Sequence, residues 1–293
     1  MEKIKAMKKK RNPNVNKRKF KQQCVQLGNM TEGNLIIIGG AEDKKGDKGI
    51  LKEVCSRIDK RADHLVIAAM ASSTPGEMGT LYKDLFLGLG VNNINLLNVS
   101  KRSDCFEDGN IEMIKRASLI FFTGGDQLKI SSFLGGTPLF KQMKKCYKEG
   151  CIFAGTSAGA SVMSDTMIVS GPDEEAPRKC TLKMAPGLGF IKHVIIDQHF
   201  AQRGRIGRLM TGIAENPESL GIGIDEDTAI VINGEAEFKV IGSGSVYILD
   251  GSLITHSNVS EQYPDEVLSI FNVHMHVLKK GDRFNLKSRL PVD

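Results

Sequence analysis

From residue 34 onward, apolar positions follow two alternating rhythms. Short β-branched runs are each followed by a stretch with apolar residues every three or four positions. Residues 34–38 (NLIII) predict a strand running into the pair Gly39-Gly40, and residues 48–60, with Ile50, Leu51, Val54 and Ile58 at helical spacing, predict a helix. Residues 65–69 (LVIAA) predict the next strand, after which Pro75 opens a helix carrying Leu81, Leu85 and Leu89. Strands over 94–99 and 119–123 (LIFFT) flank a helix near 111–116. A further helix over 139–148 ends at Gly150, and 151–154 (CIFA) is a short buried strand. Continuous apolar strands alternating with helices predict an α/β fold, a mostly parallel sheet with helices on both faces. After residue 190 the connections shorten around 194–197 (VIID), 228–232 (TAIVI), 237–241 and 245–249, which predicts an antiparallel extension of the same sheet near the C-terminus. With no internal repeat and no Pro/Gly/Ser linker, residues 31–293 read as a single α/β domain.

Charge divides the chain differently. Residues 1–30 hold ten Lys or Arg and one acid, whereas the remaining 263 residues carry 30 bases and 33 acids. The formal charge of +6 therefore belongs to a basic tail on a mildly acidic body. So polar a tail buries too little apolar surface to offset its ordering entropy and is expected to be disordered. Its chemistry fits solvation or weak attachment to a polyanion, not specific nucleic-acid recognition. It lacks the apolar stretch of a secretory signal, so a cytoplasmic location is expected. At 293 residues the chain can bury a core without staples. Its 41% apolar and 25% charged residues exclude a collagen, a disordered polymer and a coiled-coil rod. No apolar run approaches the roughly 20 residues of a membrane span. The absence of Trp, with 6% aromatics, leaves little for base-stacking platforms. The six cysteines form no C-x-x-C pair, which fits free thiols in a reducing compartment better than a zinc site or a disulfide framework.

Candidate chemistry sits at Gly155-Thr156-Ser157-Ala158-Gly159, a G-x-S-x-G sequence between the CIFA strand and a run of small residues suited to a helix start. Such a turn strains the serine backbone, the flanking glycines make room for it, and Ser157 Oγ is pushed out above the sheet. The backbone N–H of Ala158 then faces a developing oxyanion, and Gly125, in the Gly124-Gly125-Asp126-Gln127 turn after LIFFT, can supply a second donor. Among six histidines, His199 stands at the carboxyl end of the VIID strand, where open α/β sheets build their sites, just ahead of Arg203, Arg205 and Arg208. His274 and His276 share one face of a C-terminal strand but have no third metal ligand in view. The acid that would orient the imidazole is left open among Asp225, Glu226 and Asp227. All three follow the histidine, an order foreign to the usual α/β-hydrolases.

Taken together, GGAED (39–43), FTGGDQ (122–127), GTSAGAS (155–161), DQHF (197–200), R-x-R-x-x-R (203–208) and GIGIDEDTA (221–229) resemble the serine peptidase family that contains cyanophycinase and peptidase E. The resemblance spans 34–278 and leaves the basic tail outside. It implies a fold like the class I glutamine amidotransferase domain, a homodimer, no metal or cofactor, and a triad of Ser157, His199 and Glu226. It also implies cyanophycin as the partner and substrate, a poly-aspartate with arginine on each side-chain carboxylate, cleaved by an exopeptidase to β-Asp-Arg dipeptides. On that reading Gln127, Asp197 and Gln198 suit the guanidinium or amide groups of the substrate, and Arg203, Arg205 and Arg208 suit its carboxylates. The rival within the family is a peptidase E-like enzyme acting on α-aspartyl dipeptides. A non-catalytic amidotransferase-like binding protein is disfavoured by the intact Ser157, His199 and Glu226, and an amidotransferase would carry cysteine at the elbow.

Overall fold

The computed structural model describes residues 30–260 and 263–292. The basic segment read as a tail thus lies outside the described residues, apart from Met30. In chain order the elements are β1 (Leu35–Ile38), α1 (Gly49–Ser56), β2 (His64–Ala68), α2 (Pro75–Gly88), β3 (Asn93–Leu96), α3 (Asp108–Lys115), β4 (Leu119–Phe122), α4 (Gln127–Leu134), α5 (Pro138–Lys148), β5 (Ile152–Thr156) and α6 (Ala158–Ser161). They continue through β6 (Thr166–Ser170), β7 (Lys183–Pro186), β8 (Val194–Gln198), α7 (Ile206–Glu215), β9 (Leu220–Ile224), β10 (Thr228–Ile232), β11 (Glu237–Gly242) and β12 (Val246–Asp250). The short strands β13 (His256–Ser257) and β14 (Ile270–Phe271) pair with each other, followed by β15 (His274–Leu278), β16 (Arg283–Asn285) and β17 (Leu290–Val292).

The larger sheet has nine strands among the described residues, in the order β17-β16-β11-β10-β1-β5-β4-β2-β3. Its β1, β5, β4, β2 and β3 are mutually parallel, and β10, β11, β16 and β17 extend it antiparallel. The apolar runs are unbroken because both faces are covered. Leu35 and Ile37 enter one core with α3, α4 and α5, while Ile36 and Ile38 enter the other with α1 and α2. Each such side chain, fully buried, contributes about 1.5–3 kcal/mol. The α/β class, the helices on both faces and the antiparallel C-terminal strands are thus as expected. Helix α1 stops sooner than its apolar spacing suggested, because Asp59 accepts the N–H groups of Arg61 and Ala62 and closes its own turn instead.

One expectation is corrected. The strands near 194–197 and 245–249 do not extend the main sheet. They form a second, four-stranded sheet in the order β15-β12-β9-β8, in which β8 and β9 are parallel. One of its faces joins the main core through Val194, Ile196, Ile222 and Ile248, and the other is covered by α7 through Leu209 and Ile213. The chain passes from β9 in the second sheet to β10 in the first through only Asp225, Glu226 and Asp227. That hand-over brings the carboxyl ends of β5 and β8 together, although they belong to different sheets.

Where the sheets meet, Gly39 has no room for a side chain, since a Cβ there would run into the carbonyl oxygens of Asp225 and Ile224. Gly39→Ala is therefore expected to lower stability by about 1–3 kcal/mol in urea unfolding, as overpacking does. Gly234→Ala, at a turn with nothing within 4 Å of the added carbon, is expected to leave it unchanged. Equal midpoints for the two variants would contradict this account of the junction.

Candidate active site

Strand β5 delivers Ser157 into a sharp turn with φ 53° and ψ −113°, a conformation that costs an L-residue about 1–3 kcal/mol. The surroundings enforce it. Ser157 N–H donates to the Ile38 carbonyl at 3.0 Å, and its own carbonyl accepts from Ala160 and Ser161 at 2.9 and 3.0 Å. The glycines on either side are required by contact: a Cβ on Gly155 would strike the Gly159 carbonyl, and one on Gly159 the Phe122 carbonyl. The turn after β4 lies against this one, with Gly124 so close that an added Cβ would sit 3.3 Å from Ser157 Cβ. Gly125, at φ +140°, is pressed onto the Ala71 carbonyl, and Asp126 caps α4 by accepting from Leu128 N–H at 2.8 Å. Among the described residues neither Gly125 N–H nor Ala158 N–H donates to another group. Both are available to an incoming oxyanion.

His199 follows β8 at φ +50°, its N–H bonded to the Gly39 carbonyl at 2.8 Å. Its Nε2 lies 3.0 Å from Ser157 Oγ and its Nδ1 2.6 Å from Glu226 Oε1. Gly40, at φ +98°, makes room for the ring, since a Cβ there would overlap Nε2 and Cε1. The Gly40 carbonyl in turn accepts Asp227 N–H at 2.9 Å, which draws the acidic turn towards the ring. The three acids left open by the residue pattern, of which the family resemblance implied Glu226, have separate work. Asp225 is buried and takes the N–H groups of Ala201 and Ser245 at 2.9 and 3.0 Å. Asp227 takes Asp43 N–H at 2.9 Å and the Ser243 hydroxyl at 2.7 Å. Glu226 alone of the three reaches the imidazole.

The electrostatics favour a neutral, proton-accepting imidazole. Burial lowers the His199 pKa below the ordinary histidine value; the hydrogen bond that its Nδ1–H donates to Glu226 opposes this, and the Arg203 charge reinforces it. With Nδ1–H held by Glu226, Nε2 is the free acceptor for the Ser157 proton. A hydroxyl with a base at hydrogen-bond distance, an anion behind that base and two N–H donors beside it is equipped for acyl transfer.

Several proposed substrate contacts have partners inside the protein, which differs from the expectation. Asp197 is 1% exposed and forms a bidentate pair with Arg208, with Nε 2.6 Å from Oδ2 and Nη2 on Oδ1. Arg205 is also buried and donates to the Gln198 carbonyl at 2.7 Å and to Asp173 at 2.8 Å. Arg208 reaches the same Asp173 oxygen at 3.3 Å. A guanidinium left unpaired at this depth would be heavily penalised, so Arg205 and Arg208 are matched internally to Asp197 and Asp173. Gln127 Nε2 donates to the Ile168 and Val169 carbonyls at 2.9 and 3.1 Å. Only Arg203 of the trio is exposed, and Gln198 Oε1 stands 3.5 Å from Ser157 Oγ. Sequence reasoning missed Asp173. It lies in an acidic loop (DEE) with no periodicity, and its arginine partners come more than 30 residues later. His274 and His276 lie on the outer strand β15, and among the described residues no group of three His, Cys, Asp or Glu could hold a metal ion. Of the six cysteines, Cys55, Cys105, Cys146 and Cys151 are buried free thiols and Cys180 an exposed one, while Cys24 lies outside the described residues.

The family model for peptidase family S51 matches residues 35–240. A cyanophycinase of Synechococcus elongatus is 39% identical over 258 residues, which cover 88% of this chain and 80% of that protein. A cyanophycinase of Geminocystis herdmanii is 37% identical over 260 residues, covering 88% and 96% respectively. The crystal structure of a peptidase from an acI-B1 actinobacterium shares the fold, with a TM-score of 0.56 at 23% identity over 84% of this chain and 98% of that one.

Two outcomes follow from this geometry. Arg208→Met is expected to cost about 3 kcal/mol in urea unfolding by leaving buried Asp197 only the 3.5 Å contact of Arg205 Nη1, and the double variant with Asp197→Leu to recover part of it. A single variant as stable as the double would contradict the pairing. Ser157 labelling by a small fluorophosphonate should lose rate on the acid side at a pH below about 6.5, the ordinary histidine value. Arg203→Gln should move that limb upward, because removing a nearby cation eases protonation of His199. A limb that stays put would remove Arg203 from the electrostatics of the ring.

Proposed function

The chain belongs to peptidase family S51, and from that membership we propose that it is a serine peptidase hydrolysing cyanophycin to β-Asp-Arg dipeptides, with Ser157 as nucleophile, His199 as proton shuttle and Glu226 as its orienting acid. The observation that carries the assignment is the continuous hydrogen-bonded chain from Ser157 Oγ through His199 to Glu226. Ser157 Oγ attacks the main-chain carbonyl of the polymer as its proton passes to His199 Nε2. The carbonyl oxygen becomes an oxyanion facing the N–H groups of Gly125 and Ala158. The C–N bond then breaks, and the departing amine takes the proton from His199. Water, deprotonated by the same nitrogen, attacks the acyl-enzyme and releases Ser157. Glu226 keeps the ring in the tautomer that accepts at Nε2 and balances the imidazolium charge.

Substrate recognition falls to the groups still facing outward. Arg203 meets a carboxylate, and Gln198 lies beside the reacting carbonyl. Arg205 positions Gln198 by donating to its carbonyl, and Asp197 and Arg208 complete the buried network behind it, while Gln127 is tied to β6. The free thiols fit a reducing compartment, so we place the enzyme in the cytoplasm. We take it to act as a homodimer, and Met275 and Val277, exposed on the outer strand β15, offer apolar surface for a second copy. Among the described residues no helix is long and apolar enough to cross a membrane.

Purified protein incubated with cyanophycin is expected to release β-Asp-Arg, detected by mass spectrometry, and Ser157→Ala is expected to lose this while remaining folded. Cleavage of an α-aspartyl dipeptide run in parallel, with the polymer untouched, would instead make the protein peptidase E-like. Substantial turnover by Ser157→Ala would remove Ser157 from the nucleophile's role.

A further inference from the structure

We propose that Glu42, which stands outside the serine–histidine–glutamate chain, is the positioning residue that holds Ser157 in its reactive backbone conformation, by binding the hydroxyl of Thr156. The inference rests on the reading of Ser157 as nucleophile. Glu42 lies two residues beyond Gly40 and is 2% exposed, with its side chain fully covered. Oε2 accepts from Thr156 Oγ1 at 2.6 Å. Oε1 accepts from the Tyr82 hydroxyl of α2 and lies 2.9 Å from Lys44 Nζ. Burial and the Glu42 charge both push the Tyr82 hydroxyl towards its protonated form, so it remains a donor. The carboxylate therefore has three donors and is fully matched.

A buried ion pair is poor evidence of stabilisation, because apolar residues of the same volume often do as well. The position of this one suggests another reason for it. Thr156 is the last residue in regular strand geometry, and Ser157 is the strained one. If the backbone relaxed, the peptide between them would turn, and Thr156 would swing with it. Two separate holds prevent this. The Ile38 carbonyl takes Ser157 N–H on one side, and Glu42 takes the Thr156 hydroxyl on the other. Both holds come from the single segment 38–42. Its Gly40 also seats the imidazole, so the serine and the ring share one reference frame. A displacement of about 1 Å at a reacting atom is enough to cost on the order of a hundredfold in rate.

Thr156→Val keeps the branched shape and removes the hydroxyl, Thr156→Ser keeps the hydroxyl, and Glu42→Gln keeps the volume without the charge. Each variant is assayed for kcat and KM on cyanophycin, for inactivation by a small fluorophosphonate that needs no polymer-binding contacts, and for thermal unfolding. Thr156→Val is expected to lower kcat and the inactivation rate together by roughly ten- to a hundredfold, with KM within about twofold. Thr156→Ser should restore both rates, and Glu42→Gln should lower both. Wild-type rates in a folded Thr156→Val, a loss confined to KM, or wild-type rates in Glu42→Gln would overturn the proposal while leaving Ser157 as nucleophile. Wild-type protein that fails to label at Ser157 would overturn the nucleophile assignment, and this inference with it.

Discussion

Three successive carbonyls, those of Ile38, Gly39 and Gly40, accept the N–H groups of Ser157, His199 and Asp227. The active-site arrangement depends on that short ladder. The three loops arise from β5, β8 and the β9–β10 hand-over, elements of two different sheets, and nothing local to any one of them sets its distance from the others. By hanging all three from consecutive peptide units, the carboxyl end of β1 ties the loops of both sheets to one frame. The two glycines are required there for different reasons: Gly39 because the Ile224–Asp225 backbone passes against it, and Gly40 because the imidazole occupies the place of its side chain.

Around this ladder the buried charges are matched. Asp197, Arg205, Arg208 and Asp173 form a closed network whose members satisfy one another, stiffening the start of α7 and the loop after β6 beside the site. Glu42 is matched in the same way beneath the serine turn. Low dielectric strengthens such pairs and heavily penalises a missing member, so the groups act as units. The same desolvation lowers the His199 pKa, which favours the neutral ring.

Much of this was legible in the chain. The unbroken apolar runs predicted parallel strands buried on both faces, because only covered strands tolerate so little polarity. G-x-S-x-G between strand and helix marked Ser157, because the turn needs small residues at fixed offsets and that need is local. His199 could be singled out because it ends an apolar strand. Residues 162–190, with β6, β7 and Asp173, gave no such signal, since short strands and acidic loops have no period to detect.

By itself, then, the sequence determined the α/β architecture, the serine turn and the residue types of the site, because each rests on spacing within a few positions. The tertiary structure alone decided that β8, β9, β12 and β15 form a separate sheet. It also decided how Asp225 and Asp227 brace loops beside Glu226, the acid that the family resemblance had implied, and that Arg205 and Arg208 are paired inward with Asp197 and Asp173. The reason is common to all three. Which of several neighbouring acids meets a histidine, or which carboxylate meets an arginine, depends on the angle at which distant strands are brought together. That angle is set by the packing of two sheets, not by any local pattern of residues.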